Sequence, residues 1–431
     1  MKLQLNFLNK FKIFERISLI ERYFIVFIIL FLILSIFVGI PTDTQTIGIS
    51  SPELNIGDRA FYINENQQGF GYQNNSGLTS QNFSGNILYP FILKLISFIT
   101  SLFNQDQYSK LWNFICIFIT SSLSIINLHL LRLSSINLFK KNVTEIACFL
   151  FICNPYTYFY SLSGGIINYI LFGVTFIFWI FTRCIKYENK ISETTNISNI
   201  LFVSLGTIYL SFLRPSGCIF SLVILIFLIY KSSINFTSND KLKTISFLKI
   251  LFLILSLIIV IYNFNYSLNY SITGIKSFAE EGGSFFGYSR DLLRSKLTFD
   301  NLSFFENLRN YSYLILWKIT DFVSGISDIR DTHSAPSFES LMPFMFRTFT
   351  GIFILFPVNL FSFFGLIVNY KFILKNDIWI IFLASIVAIS PSLVGVAASR
   401  YLIMFYTPFI ALASKVIRDI FQNKETMKLD A

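Results

Sequence analysis

The stretch Tyr23–Ile40, YFIVFIILFLILSIFVGI, runs 18 residues without a charge. That length suits a helix crossing hydrocarbon, which takes roughly 17–25 predominantly apolar residues. Outward from it the same texture recurs along all 431 residues, of which 54% are hydrophobic, 18% aromatic and 13% charged. Soluble domains carry roughly 25% charged residues, so an ordinary water-soluble globule is excluded. The expected fold class is all-α and polytopic. Spans are expected at Tyr23–Ile40, Leu111–Leu131, Val143–Tyr160, Ile166–Phe181, Ile197–Leu213, Gly217–Tyr230, Ile245–Tyr262, Met345–Tyr370, Ile378–Val396 and Tyr401–Ile417, about ten transmembrane helices by the length rule. The segment Ile87–Phe103 is interrupted by Pro90 and Lys94. It reads as an interfacial helix lying on the membrane face rather than an eleventh span.

Cations set the orientation. With the N-terminus in the cytoplasm, the inner loops hold Arg132, Lys140 and Lys141, then Arg183, Lys186 and Lys190, then Lys231, Lys241 and Lys243, then Lys371 and Lys375. The tail adds Arg418, Lys424 and Lys428, while the short outer turns hold only Arg214 and Arg400. Both termini are therefore expected on the cytoplasmic side. Lys2, Lys10, Lys12, Arg16 and Arg22 precede the first span, which lacks a small-residue cleavage site and reads as a retained anchor. Two long polar segments, about 41–110 and 263–343, then face outward; polar loops of that length are usually functional. Residues 1–431 show no repeat and no separate soluble domain, and are taken as a single integral unit.

The net charge of +10 does not point to nucleic acid. Many of the basic residues cap apolar spans instead of clustering on one soluble face, which suits anionic lipid headgroups. Cys116, Cys148, Cys153, Cys184 and Cys218 form no CxxC pair and read as small buried hydrophobes.

Four stretches carry a family likeness: Gly57-Asp58-Arg59-Ala60-Phe61-Tyr62 in the first outer loop, Gly85-Asn86-Ile87-Leu88-Tyr89-Pro90-Phe91 leading into the interfacial helix, Phe212-Leu213-Arg214-Pro215-Ser216-Gly217 at an outer turn, and Ser399-Arg400-Tyr401 followed by Pro408. In order and spacing they resemble the GT-C superfamily of polyprenyl-phosphate-dependent glycosyltransferases, in particular bacterial relatives of protein O-mannosyltransferases and aminoarabinose transferases. Two departures stand out. The first loop has Arg59 after Asp58 where the family often has a second acid, and the large soluble domain of some members is missing.

The resemblance implies a membrane glycosyltransferase that moves a sugar from a polyprenyl-phosphate donor to a lipid, glycan or protein acceptor on the outer face of a bacterial inner membrane. Asp58 would be the general base, deprotonating the acceptor as it attacks the anomeric carbon; a partly desolvated carboxylate suits that task. Its bland alternative is a helix cap or a pair with Arg59. Arg400 and Arg214 would grip the leaving lipid phosphate bidentately, or else snorkel to headgroups. Arg59, Tyr62, Tyr89 and His333 are candidate substrate contacts, although a solvated surface histidine is the commoner case for His333. No cofactor is expected. Asp328, Asp331 and His333 leave a divalent ion open, since their spacing is not diagnostic of a ligand set. Two rival functions share much of this pattern. One is a polymerase or ligase of lipid-linked glycans; the other is a lipid flippase or transporter, for which paired halves with interrupted helices would be the sign.

Overall fold

The computed structural model describes residues 18–37, 40–41, 46–47, 72–73, 79–80, 88–105, 109–139, 141–154, 157, 161–162, 164–186, 193–213, 215–233, 249–261, 356–394 and 403–429, with single positions between 303 and 353. Its helices, in chain order, are α1 Leu19–Phe37, α2 Leu88–Ser101, α3 Lys110–Leu138, α4 Lys141–Cys153, α5 Ile167–Lys186, α6 Glu193–Ser211 and α7 Pro215–Ser233. They continue with α8 Lys249–Ile261, α9 Phe356–Val368, α10 Tyr370–Lys375, α11 Trp379–Val394 and α12 Ile403–Leu429. The strands among the described residues are two antiparallel pairs of two residues each, Ile40–Pro41 with Thr46–Ile47 and Tyr72–Gln73 with Thr79–Ser80.

The expected all-helical class holds, but ten spans are not established. Among the described residues two helices, Lys110–Leu138 and Ile167–Ile185, are long and apolar enough to cross a membrane. Prolines account for part of the difference. Helix α4 stops at Cys153, before Asn154-Pro155, and not at Tyr160, because a residue preceding proline is pushed out of the helical region. Helix α9 is described from Phe356, with Pro357 in its first turn, where proline's missing amide is tolerated; most of the expected span from Met345 up to it lies outside the described residues. Pro215 opens α7 in the same way.

The outer surface is that of a membrane protein. Helix α1 leaves Tyr23, Val26, Phe27, Ile29, Leu30 and Ile33 exposed, and α8 leaves Ile250, Ile254, Leu255, Ile258 and Ile261 exposed. Contiguous apolar faces of this kind are rare on soluble monomers.

Helix α5 is the hub, packed against α3, α6, α7 and α12. In lipid the hydrophobic effect does not drive helices together; close contact and interhelical hydrogen bonds do. Both are present. Helices α5 and α6 run antiparallel, and each contributes a glycine to the seam. A Cβ on Gly173 would stand 2.5 Å from Leu210 Cδ2, and one on Gly206 would stand 2.9 Å from Ile177 Cγ1. Helices α3 and α5 run parallel, tied at one end by Asn168 Nδ2 to the Thr120 carbonyl (3.0 Å) and to Ser124 Oγ (2.7 Å), and at the other by Asn137 Nδ2 to Thr182 Oγ1 (3.3 Å).

Ionic contacts gather at the Lys186 end of the bundle. Glu21, in the first turn of α1 and 3% exposed, accepts from His129 Nδ1 at 2.8 Å and lies 3.3 Å from Arg132 Nη1, both on α3. The Ser18 amide donates to the same carboxylate at 2.5 Å, and Ser18 Oγ accepts from the Glu21 amide at 3.3 Å; this reciprocal capping starts the helix. Lys231 at the close of α7 pairs with Asp377 in the turn before α11. Lys415 of α12 reaches Asn369 Oδ1 at 2.6 Å and Asp419 at 2.7 Å.

Replacing Glu21 by Ala removes the acceptor that the His129 ring and the Arg132 guanidinium share. His129 is 40% exposed and Arg132 is 21% exposed, so both can rehydrate in part. The expected loss is therefore about 1–3 kcal/mol, below the usual penalty for breaking a buried pair. Thermal unfolding of E21A in detergent or nanodiscs measures it; an unchanged midpoint would remove this pairing from the account of how α1 is held.

Candidate functional site

The opposite end of the bundle, at Gly164, is where described residues of two of the sequence motifs, Tyr89 and Phe212, are placed. The chain between α4 and α5 is fixed there by a knot of small polar side chains. Thr120 Oγ1 and Ser121 Oγ donate to the Ser161 carbonyl at 2.6 and 3.1 Å. Ser161 Oγ donates to Ser124 Oγ at 2.5 Å and also contacts the Thr157 carbonyl. Thr157 Oγ1 donates to the Phe151 carbonyl at 2.9 Å. All of these residues except Phe151 are polar and buried. In hydrocarbon an unmade bond of this kind is costly, so the satisfied knot holds one loop conformation. The loop then turns at Gly164, whose φ of 66° lies where residues with a Cβ are strained.

Helix α2 docks on that turn. Tyr89 is fully buried; its hydroxyl donates to the Gly164 carbonyl at 2.8 Å, and its ring meets Tyr169 edge-on at 5.6 Å. Tyr209 of α6 donates to the Tyr169 carbonyl at 3.0 Å. The Leu88 amide, at the start of α2, donates to the Phe212 carbonyl at 3.1 Å. Phe212 stands two residues before Arg214 in the sequence. Further along α2, Ser97 Oγ accepts from Trp112 Nε1 at 2.9 Å. One face of α2 (Tyr89, Leu93, Ile96, Thr100) is buried, while Phe91, Leu95, Phe98 and Ile99 are exposed. The exposed side is thus apolar too, where an interfacial helix normally turns a polar face to water.

Of the expected site residues only Tyr89 is among the described residues. Its hydroxyl is spent on Gly164 and its ring is enclosed, so in this conformation it anchors α2 rather than opening to a ligand. Asp58, Arg59, Tyr62, Arg214, His333 and Arg400 lie outside the described residues. Among the described residues no group of three His, Cys, Asp or Glu side chains is placed to hold a metal ion. Cys116, Cys148, Cys153, Cys184 and Cys218 are free thiols, three of them buried. The residues that build this end, Ser161, Gly164, Asn168 and Tyr169, were not singled out by the sequence for a site. Their one signal is a polar stripe through an apolar span, with Thr120, Ser124 and Asn127 at helical spacing.

No family model matches the chain, and no curated protein sequence matches it. Similar solved structures exist. One is the archaeal oligosaccharyltransferase AglB from Archaeoglobus fulgidus in complex with an inhibitory peptide and a dolichol-phosphate, at 11% identity and a TM-score of 0.50 over 96% of this chain and 52% of that one. The Archaeoglobus fulgidus oligosaccharyltransferase in its apo form aligns at 12% identity and a TM-score of 0.47, over 94% of this chain and 52% of that one. The chain spans about half the length of the structures it matches. At such identity the first likeness speaks to the fold alone, which is similar to that of the oligosaccharyltransferase.

Tyr89→Phe keeps the ring and deletes the donor, leaving the Gly164 carbonyl short of a partner. The expected cost is about 1–2 kcal/mol, a hydrogen bond lost at a buried acceptor. Limited proteolysis in the residues preceding α2 should accelerate with it; identical cleavage rates would mean that the hydroxyl does not hold α2 in place.

Proposed function

We propose that the chain is a membrane glycosyltransferase that takes a sugar from a polyprenyl-phosphate carrier and passes it to a lipid, glycan or protein acceptor at the Gly164 end of the bundle. One observation carries the reading. The Leu88–Phe212 backbone bond ties the helix that closes the Asp58-bearing loop to the turn that bears Arg214. The proposal thereby gains a physical reason for two distant motifs to work at one place. It is supported by the likeness of fold to an oligosaccharyltransferase whose structure was solved with a dolichol-phosphate and a peptide.

In the proposed reaction Asp58 accepts the proton of the acceptor's hydroxyl or amine. The freed electron pair forms the new bond to the anomeric carbon, and the bond from that carbon to the phosphate oxygen breaks with its pair. Carrier phosphate departs with added negative charge. Arg400 and Arg214 meet that charge, because a guanidinium offers two parallel donors to phosphate oxygens. Arg59, Tyr62 and His333 are proposed to line the sugar and acceptor positions. The apolar outer face of α2 suits a donor whose isoprenoid tail approaches from the bilayer, so no Gly-rich nucleotide loop is called for. The carboxylate and guanidinium groups suffice for this scheme. A divalent ion at Asp328, Asp331 and His333 is not invoked.

The same reading gives the orientation. The Gly164 end faces outward and the Lys186 end, with its lysine and arginine pairs, faces the cytoplasm, in keeping with the inward excess of cations. Both termini are then cytoplasmic, and a bacterial inner membrane is the proposed location.

Two substitutions test the chemistry in purified protein offered a panel of polyprenyl-phosphate sugars, with release of free carrier phosphate as the readout. Asp58→Asn should lower turnover by at least ~100-fold at an unchanged unfolding midpoint; full activity would remove Asp58 from the reaction. Arg400→Ala should weaken donor affinity by about 10–100-fold, the worth of a charged hydrogen bond, and unaltered donor binding would reassign it to lipid headgroups.

A further inference from the structure

Asn127 is a carboxamide with nowhere to go among its protein neighbours. It is 0% exposed, and neither its Nδ2 nor its Oδ1 has a hydrogen-bond partner among the described residues. Buried amides are bonded in the great majority of native structures, to protein or to ordered water. Asn127 shares a face of α3 with Thr120, Ser124 and Ser134, which are all buried, and that face meets α5.

Register identifies what stands opposite. Asn168 bonds to Thr120 and Ser124, and Asn137 bonds to Thr182. In a parallel pair those ties put Asn127 level with the turn of α5 that ends at Thr175. There Thr175 Oγ1 and Thr407 Oγ1 of α12 lie 3.0 Å apart, both fully buried. Two hydroxyls carry two hydrogens, and one bond between them uses only one. The second finds no protein acceptor among the described residues. Pro408 adds to the set. It lies inside α12 and has no amide hydrogen, so the carbonyl of Met404 loses its helical donor. Helix α12 touches both α3 and α5.

We propose that Asn127, Thr175, Thr407 and the Met404 carbonyl form a binding site for internal water between α3, α5 and α12. The set offers two kinds of donor (the amide and a hydroxyl) and two acceptor carbonyls. All four groups are uncharged. That suits a water, which takes 2–4 such partners at a roomy polar site, and offers a cation no carboxylate. The site is separate from the Gly164 end and independent of the proposed transfer chemistry. It joins the satisfied knot at Ser124 to the Asn137–Thr182 bond, making one polar seam through the apolar bundle.

The test is an experimental map of the full chain in nanodiscs at a resolution that shows ordered water. A peak within hydrogen-bond reach of the Asn127 carboxamide and of either threonine hydroxyl supports the site; a resolved interface without such a peak overturns it. Where the map leaves the region unresolved, a cycle of Asn127→Leu and Thr175→Val decides. With a shared water, N127L lowers the unfolding midpoint by about 2–4 °C, and the double variant falls no further than the worse single one. A midpoint raised by N127L, or losses that add, would mean that the two side chains share no water.

Discussion

Polar groups carried into hydrocarbon have to be matched by the protein or by water enclosed in it, since lipid offers no substitute. This constraint organises the bundle more than apolar burial does. Serine, threonine and asparagine side chains on α3 and α5 bond across the helix pair and back onto nearby carbonyls. Where lipid tails are as apolar as leucine, such bonds and close glycine contacts, not area removed from water, select one helix arrangement over another. The bundle therefore has a division of labour. Apolar side chains such as Val174, Ile177, Phe178 and Phe181 fill its core, and polar ones fix the register.

The two ends differ in chemistry for the same reason. At the Lys186 end, ionised side chains meet one another near the membrane boundary, with Glu21 buried beneath His129 and Arg132. At the Gly164 end the described contacts are neutral hydroxyls, amides and carbonyls, with aromatic rings around Tyr89 and Tyr169.

The helical class was legible from the uncharged stretch Tyr23–Ile40 and its repeats, because hydropathy and length together admit few structures in lipid. Span ends were less legible. Val143–Tyr160 ran through Asn154-Pro155, where local backbone chemistry outweighs a continuing apolar run. The docking of α2 was hidden for another reason. Tyr89, Leu93 and Ile96 on one side and Phe91, Leu95 and Phe98 on the other are equally apolar, so periodicity alone could not say which side meets the bundle. Tyr89 consequently read as a candidate substrate contact, although its hydroxyl finds a partner 75 positions away. The polar stripe of α3 stood in plain view, but its partner Ser161 is set by the tertiary path of the chain and has no local signature. Asp58, Arg59, Tyr62, Arg214, His333 and Arg400 rest on sequence, lying outside the described residues.

The paired glycines between α5 and α6 carry a mechanical consequence. Gly173 receives Leu210 while Gly206 receives Ile177, so each notch is filled by a tooth from the facing helix. Sliding one helix along the other would drive branched side chains into each other, a collision that dense packing does not absorb gradually. Helices α5 and α6 are thus geared to travel as a single piece. Any rearrangement within the bundle then has to move this pair together or be taken up by the helices around it.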